Sequence, residues 1–373
     1  MTTPPGQHTP ADATHDRPSI TLSRSRLRQL RSTTPRTALP TAAAPTLPPH
    51  LWRWLLRALL LVAALAVIEQ ILIRPHLRQD DAPSAPPPHG DPIPPLGADA
   101  RPPQGLAEVT PAFLPRLDDL PPETIAAVQR QLDAATTRHL PVEAVNSIGM
   151  TFRLIPPGDC LIGSPNDEPG HSPAETQHLA SFLKPFYLAV TEVTQQQWDA
   201  VMGPNANPSH FRLPQRPVEE ISWTQAREFC RRLAQREGLP DNAYRLPTEK
   251  EWEYACRAGA NTAFCFGNQT ERLTDFADFE GNNYRRTAPV AQRRPNAFGL
   301  HDMHGNVWEW CLNLFSPYPG DHTDYGEALA WRTIRGGNWY VPAADCRSAA
   351  RSRLPDQSVG NMLGFRVLRV IPD

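Results

Sequence analysis

The chain has 373 residues, 43 prolines, six cysteines and a formal net charge of −2. Much of the proline lies in the first third of the sequence and most aromatic residues lie in the remainder, so we predict a poorly ordered first third followed by a globular region. The near-neutral charge gives no reason to expect a nucleic-acid partner. No CxxC pair occurs, which argues against a zinc-finger-type site.

The N-terminal region contains a candidate membrane segment. Residues 1–50 are rich in Pro, Thr, Ala and Arg without apolar periodicity, which predicts a disordered tail. Residues 51–73 then read LWRWLLRALLLVAALAVIEQILI. The uncharged centre is short for a bilayer span, but Arg57 and Glu69 lie toward its two ends, from which long side chains reach the interface. We interpret this segment as one transmembrane helix; an amphipathic core helix and a cleaved signal peptide are the alternatives.

The arginine distribution predicts an orientation. Arginines are more frequent before residues 51–73 than directly after them, so the N-terminus is predicted to be cytoplasmic and the rest extracytoplasmic, on the periplasmic side if the source is bacterial. Disulfides persist in such a compartment. Residues 74–120 are predicted to be a Pro-rich linker. Residues 121–140 are predicted to form an amphipathic helix with Ile125 and Val128 on one face.

Residues 141–373 have a different pattern. Short strand-like pieces alternate with turns rich in Gly, Pro, Asn and Asp, and few helices interrupt them. A domain with this many loops needs extra fastening from metal ions, disulfides or buried polar networks. Capping boxes predict three helix starts, at Thr194 with Gln197, Ser222 with Gln225, and Thr248 with Glu251.

Seven segments in this region occur in a recognisable order. They are GMTFRLIPPGDCLIGS (149–164), KPFYLAVTEVTQQQW (184–198), RPVEEISWTQAREFC (216–230), RLPTEKEWEYACRAG (245–259), FGLHDMHGNVWEWC (298–311), IRGGNWYVPAADCRSAAR (334–351) and LGFRVLR (363–369). Together they resemble the formylglycine-generating-enzyme, or sulfatase-modifying-factor, domain family. The resemblance implies an α+β, loop-rich fold related to that of C-type lectins, usually with bound calcium and disulfides.

A calcium site is the first implication of this resemblance. Asp302 and Glu309 match family ligands that act through carboxylates, and Gly305 and Val307 match ligands that act through main-chain carbonyls. Calcium prefers such a shell of oxygens. We expect Gly305 to adopt a backbone conformation that residues with a Cβ avoid.

The resemblance also implies a second calcium site and a disulfide. Asp278 and the carbonyl of Phe279 match part of the second site, although a loop that supplies other ligands is shorter here. Cys256 and Cys346 resemble a family disulfide pair. His304, three residues after His301, is interpreted as a hydrogen-bonded structural histidine rather than an iron ligand.

The best-known activity of the family oxidises a cysteine of a sulfatase peptide to formylglycine with copper(I) and oxygen. Two thiolates just after a Gly-Gly-Ser-type turn hold the copper, which prefers soft ligands. Here Gly336-Gly337-Asn338 is followed by residues 339–345 without a cysteine, and Cys346 is the nearest thiol. This departure argues against copper(I) and against the oxidase.

The remaining implied residues line a cleft. Trp308, Asn338, Arg351 and Asn361 fall where the oxidase contacts its substrate, although Trp308 and Arg351 could instead be a core wall and a buried cation. We therefore expect a membrane-anchored binding or accessory module that acts on an extracytoplasmic protein or peptide. The alternatives are an oxidoreductase acting on a protein cysteine, and a lectin-like variable ligand binder whose recognition surface is 338–361.

Overall fold

The computed structural model describes residues 102–116, 120–283, 285–326 and 331–372. The predicted tail (1–50), the predicted transmembrane helix (51–73) and most of the predicted linker lie outside these residues. In the part of the chain that is described, no helix is both long enough and apolar enough to cross a bilayer.

The larger sheet organises the domain. Its strands are β1 (Leu106–Glu108), β2 (Glu143–Asn146), β3 (Thr151–Ile155), β6 (Phe186–Ala189), β7 (Tyr244–Arg245) and β12 (Leu368–Arg369). Their order is β1-β2-β3-β6-β12-β7, and every neighbouring pair is antiparallel. Because β12 lies between β6 and β7, the end of the chain completes the sheet.

Two smaller sheets carry the loops. One contains β8 (Trp308–Leu314), β9 (Arg332–Arg335), β10 (Arg351–Leu354) and β11 (Leu363–Gly364), in the order β10-β9-β8-β11, with β11 parallel to β8. The other is a hairpin of β4 (Gly158–Ile162) and β5 (His178–Phe182). The predicted calcium turn leads directly into β8, so the four-stranded sheet positions it.

The helices begin where local chemistry predicts. They are α1 (Pro122–Arg138), α2 (Gln195–Met202), α3 (Trp223–Arg236), α4 (Glu249–Arg257) and the single turn α5 (Leu273–Phe276). All three predicted capping boxes are present, at the starts of α2, α3 and α4. Each satisfies two main-chain N–H groups that the first turn would otherwise leave unpaired.

The folded domain begins earlier than residue 141. Strand β1 falls inside the predicted linker (74–120), and its residues pair with β2 in the larger sheet. Helix α1 buries Ala127 and Val128, and Gln131 Nε2 on the same helix donates to the Leu154 carbonyl at 2.7 Å. The linker prediction is therefore too long at its C-terminal end, because a three-residue edge strand leaves too little periodicity to be seen in the sequence.

Buried glutamate–arginine pairs fasten the loops of this domain. In each pair both side chains are almost inaccessible to solvent. Removal of one partner leaves a buried charge uncompensated, which is strongly destabilising. All six cysteines are free thiols, so these pairs provide fastening that disulfides do not provide in the structure. The pairs are Glu143–Arg153, Glu175–Arg347, Glu249–Arg351, Glu253 with both Arg257 and Arg335, and Glu309–Arg366.

Candidate functional site

The turn before β8 has an unusual backbone. Asp302 (φ 61°) and Asn306 (φ 63°) both occupy the left-handed region, which costs energy for residues other than glycine and is frequent at functional sites. Gly305 is not in this region, contrary to our expectation. A Cβ at position 305 would lie 2.3 Å from the Asp278 carbonyl oxygen, so the close approach of two loops, rather than φ, requires glycine there.

Asp302 and Glu309 are both buried but have different partners. Asp302 Oδ2 accepts a hydrogen bond from Ala291 N at 2.8 Å. Burial raises the pKa of Asp302 to about 6, although the Ala291 N–H and Arg366 oppose the shift. The Glu309 carboxylate accepts bonds of 2.7 Å from Arg366 Nε and Nη2 and from Trp252 Nε1. Glu309 is therefore already neutralised by an arginine.

Glu192 is the acidic residue of this region that sequence reasoning missed. Its side chain is fully buried, and neither carboxylate oxygen has a hydrogen-bond partner. Burial raises its pKa, and the charges of Asp302 and Glu309 raise it further. A lone carboxylate in the apolar segment that follows β6 was the available signal, because an unpaired buried charge is costly.

These observations fit a bound divalent cation. The orphaned oxygens of Glu192 and the neighbouring carboxylate of Asp302 are hard oxygen ligands of the kind that calcium prefers. Within the described ranges, no three His, Cys, Asp or Glu side chains gather into a metal-binding group. A calcium ion at this turn would therefore depend on main-chain carbonyls, such as those predicted for Gly305 and Val307.

The two residues of the second predicted calcium site have protein partners. Asp278 forms a bidentate ion pair with Arg293, at 2.8 and 3.2 Å. The Phe279 carbonyl accepts bonds from Asn282 N at 3.1 Å and Asn283 Nδ2 at 2.7 Å. Both predicted oxygen donors thus have protein partners, and the second calcium site stays a prediction.

Three of the four predicted cleft residues lie beside one another. The Trp339 indole Nε1 donates to the Asn361 carbonyl at 3.0 Å, and Trp308 N donates to the carbonyl of the next residue, Met362, at 2.8 Å. The Asn338 Oδ1 atom accepts from Tyr340 N at 2.6 Å. The strand ends and the loop after Gly337 therefore bring these positions together.

Sequence reasoning missed Phe211, which completes this surface. The Phe211 ring packs edge-to-face on Trp339, with 5.6 Å between centroids, and Trp339 packs on Tyr340 at 5.3 Å. Aromatic rings in such pairs give rigid apolar contact area. We call the surface formed by Phe211, Trp308, Trp339, Tyr340 and Asn361 the aromatic face.

Arg351, the fourth predicted cleft residue, lies elsewhere. It pairs with Glu249 at 2.7 Å, its Nη1 donates to the Ala174 carbonyl at 2.9 Å, and its guanidinium stacks 3.8 Å from the Tyr318 ring centroid. Its side chain is fully buried in these contacts. The structure thus places Arg351 as a buried hydrogen-bonding cation, which was the alternative interpretation.

His304 contacts both of the cysteines predicted to form a disulfide. Its Nε2 accepts from Cys265 N at 3.2 Å, so Nδ1–H donates to the Cys346 carbonyl at 2.8 Å. The Cys256 sulfur lies 3.8 Å from Nε2. Both ring nitrogens are satisfied, and Cys256 and Cys346 are free thiols. The predicted bridge is therefore not formed in the structure.

The thiol of Cys346 is poorly suited to bind metal. It is fully buried in an apolar cluster with Phe264, Leu273 and Phe279. Burial raises its pKa far above the usual range, and Asp345 raises it further. A thiol must lose its proton to become a metal ligand, and this environment stabilises the protonated form.

A cavity of about 630 Å³ is lined in part by the end of the loop that follows Gly337. Its wall includes Pro342, Ala343 and Arg347, together with Asp167, Phe264 and Asn268. Arg347 is not free to meet a ligand there, because it bonds to Glu168 and Glu175.

Comparisons with known proteins agree with this architecture. A family model described as the sulfatase-modifying factor enzyme 1-like domain matches residues 139–371. The chain is 31% identical over 234 residues to the chaperone protein LppX of Paenibacillus barcinonensis, covering 50% of this chain and 81% of that protein. It is 36% identical over 182 residues to the formylglycine-generating enzyme of Streptomyces coelicolor, covering 41% and 52%, so it spans about half the length of that relative.

Solved structures provide a further comparison. Treponema denticola variable protein 1 superposes with a TM-score of 0.54 at 28% identity, covering 61% of this chain and 99% of that one. The structural neighbours share the C-type-lectin-like fold.

Proposed function

The chain belongs to the sulfatase-modifying factor enzyme 1-like domain family, and from that premise we propose that it is a binding module rather than a copper oxidase. In this proposal the aromatic face holds a peptide or another ligand presented by an extracytoplasmic protein. Residues 51–73 tether the module to the membrane.

The loop after Gly337 carries the proposal. Residues 339–345 contain no cysteine, and the thiol of Cys346 is buried among apolar side chains that favour its protonated form. A bis-thiolate copper(I) site needs two accessible sulfurs. In their place this loop contributes Tyr340, which is half exposed and suited to contact with a ligand, and Trp339, which is buried beside it.

Calcium is the cofactor we propose for the turn before β8. Asp302 and Glu192 would supply carboxylate oxygens, and the carbonyls of Gly305 and Val307 would complete the shell. Asn306 N donates to the Asp278 carbonyl at 2.7 Å, and the Asn306 carbonyl accepts from Trp339 N at 2.9 Å. An ion at this turn would therefore stiffen the loop that carries the aromatic face.

A second candidate function is lectin-like ligand binding through residues 338–361. Two observations favour it: the structural similarity to a variable protein of Treponema denticola, and the position of Trp339 and Tyr340 within that segment. The two candidates use the same surface and differ in whether the ligand is a peptide or a small polar molecule.

Peptide binding by the full chain in detergent tests the proposal. Fluorescence anisotropy of a labelled randomised peptide pool should rise on addition of the protein and should rise much less with a Tyr340→Ala variant. Tyr340 is 50% exposed, so its removal should leave the fold intact. Binding that Tyr340→Ala leaves unchanged would place the ligand elsewhere.

Membrane topology has its own test. Reporters fused to the N-terminus of the full chain and after residue 373 should report a cytoplasmic N-terminus and an extracytoplasmic C-terminus. The same side for both ends would contradict a single span.

A further inference from the structure

Two adjoining cavities form a groove that is separate from the aromatic face. The cavity of about 630 Å³ and a second cavity of about 330 Å³ are both lined by Asn261, so they meet at this side chain. The second cavity is lined mainly by residues of α1 and of the β4–β5 hairpin. None of the five residues of the aromatic face lines either cavity. We call the two cavities together the side groove.

Close packing holds the walls of the side groove in place. A Cβ at Gly259 would lie 2.6 Å from Ala127 Cβ and 2.8 Å from the Glu123 carbonyl oxygen, so α1 packs tightly against this glycine. At the other end, Arg347 Nη2 donates to the Gly170 carbonyl at 2.5 Å and Arg347 Nη1 donates to Glu168 at 2.6 Å. A groove whose walls are already fixed loses little conformational entropy when it binds a ligand.

One end of the side groove carries an exposed apolar pair. Leu161 on β4 and Leu179 on β5 are direct cross-strand partners, and both line the second cavity. Leu161 is 40% exposed and Leu179 is 64% exposed. Proteins usually cover such strands or protect them with charged side chains, and exposed apolar groups beside a polar rim are typical of interaction sites. The pair therefore favours contact with another polypeptide segment.

The side groove has an excess of negative charge. Its lining contains four carboxylates and two guanidinium groups. One guanidinium, that of Arg347, is already paired with Glu168 and with Glu175, which lies outside the lining. The other three carboxylates are exposed, and no hydrogen bond or ion pair joins them to another residue in the described ranges; they belong to Glu123, Asp159 and Asp167. The surface therefore complements a cationic ligand.

From these features we propose that the side groove binds an extended basic segment of another protein. Apolar side chains of this segment would pack on Leu161 and Leu179, and its Lys or Arg side chains would lie near Asp159 and Asp167. The exposed amide of Asn261, where the two cavities meet, carries the donor and the acceptor that an extended main chain needs. This site is additional to the aromatic face and does not depend on the function proposed for that surface.

Labelled peptide pools test this inference with the full chain in detergent. Three pools of equal length share the same Leu positions and differ only in whether their other fixed positions are Arg, Ser or Asp. We expect the Arg pool to bind most tightly, with an affinity that falls as salt rises. Asp159→Asn and Asp167→Asn should each weaken the Arg pool about threefold, and together about tenfold, because each removes one exposed charge pair. Both variants should leave the Ser pool unchanged.

Matched variants separate charge from packing. Leu179→Ala should weaken the Arg and Ser pools alike, by about tenfold, because it removes apolar contact area. Asp241→Asn changes an exposed carboxylate outside the groove, and Leu314→Ala changes an exposed leucine on another sheet; neither should alter any affinity. Circular dichroism identifies any variant that does not fold, and Asp167→Asn decides if Asp159→Asn fails.

Several results would overturn the side groove as a site for a basic segment. Equal affinities for the three pools would do so, as would preference for the Asp pool or failure of the Arg pool to bind. Arg-pool binding that survives in the Asp159→Asn/Asp167→Asn double variant but is lost in Tyr340→Ala would place the segment on the aromatic face instead. Competition by spermidine as effective as that by unlabelled Arg pool, at equal ionic strength, would reduce the groove to a simple cation site and overturn the peptide.

Discussion

Arg366 donates to both carboxylate oxygens of Glu309 at 2.7 Å, and neither side chain is accessible to solvent. Arg366 lies near the C-terminus and Glu309 lies on β8, so the pair joins the end of the chain to the predicted calcium turn. Arg366 Nη2 also donates to the His301 carbonyl at 3.0 Å. Arg366 thus contacts both the start of the turn, at His301, and its end, at Glu309.

Loss of this arginine should be strongly destabilising. Arg366→Ala leaves the Glu309 carboxylate buried and uncompensated, which costs about 3–5 kcal/mol for a broken buried pair. Urea unfolding without calcium, followed by tryptophan fluorescence, measures the change. Arg231→Ala, which breaks an exposed pair with Glu228, is the control and should change stability little. Similar losses in the two variants would contradict the structural role of Arg366.

Calcium should stabilise the domain through Asp302 and Glu192. Ligand that binds only the folded state, at a hundred times its dissociation constant, adds about 2.7 kcal/mol. We expect calcium to raise Tm of the wild type and EGTA to reverse the rise. Asp302→Ala should abolish the response, and Asp278→Ala, which removes the partner of Arg293, should lower Tm but keep the response. A calcium response that survives in Asp302→Ala would place the ion elsewhere.

The cysteines should be free and differ in reactivity. Cys256 and Cys346 are fully buried, and burial raises the pKa of the Cys256 thiol to about 12 and that of the Cys346 thiol further. Iodoacetamide should therefore modify neither in the native protein, whereas partly exposed Cys265 should react. Mass spectrometry after digestion without reductant detects both the alkylated cysteines and any disulfide-linked peptides. A Cys256–Cys346 peptide would show that the family disulfide forms after all.

Acid should weaken the fold through the Glu253 carboxylate, whose pKa is lowered in the folded state. Burial raises the pKa of Glu253, but Arg257 and Arg335 outweigh it and hold the pKa below its usual value. A carboxyl with a depressed folded-state pKa contributes stability above its unfolded-state pKa, near 4.5, and loses it as pH falls through the folded-state pKa. The free energy of unfolding should thus fall below about pH 4.5. Glu253→Gln should be less stable at neutral pH and show a shallower acid dependence; a parallel pH profile would contradict this assignment.

Local sequence signals predicted the local structure well. The three helices that begin at Thr194, Ser222 and Thr248 are set by side chains three residues apart, so the sequence contains the whole interaction. The overall fold was predicted from the seven ordered segments, because together they identify a family whose fold is known. Strand β1 was missed because three residues gain their structure only by pairing with β2.

The site was predicted less completely, because its partners are distant in sequence. Arg351 was placed in the cleft by motif position, yet Glu249 and Tyr318 draw it into the interior. Phe211 and Glu192 belong to other segments and reach the site only through tertiary packing. Gly305 was correctly singled out, but the reason, contact with the Asp278 carbonyl, requires the fold.

Incubation of the full chain with copper(I), oxygen and a cysteine-containing sulfatase-type peptide tests the central proposal most directly. The Streptomyces coelicolor enzyme runs in parallel as the positive control, and mass spectrometry detects conversion of the cysteine to an aldehyde. We predict that the peptide cysteine stays unchanged with this chain while the control converts it. Aldehyde formation by this chain, lost in Cys346→Ser, would contradict a binding module and restore the oxidase.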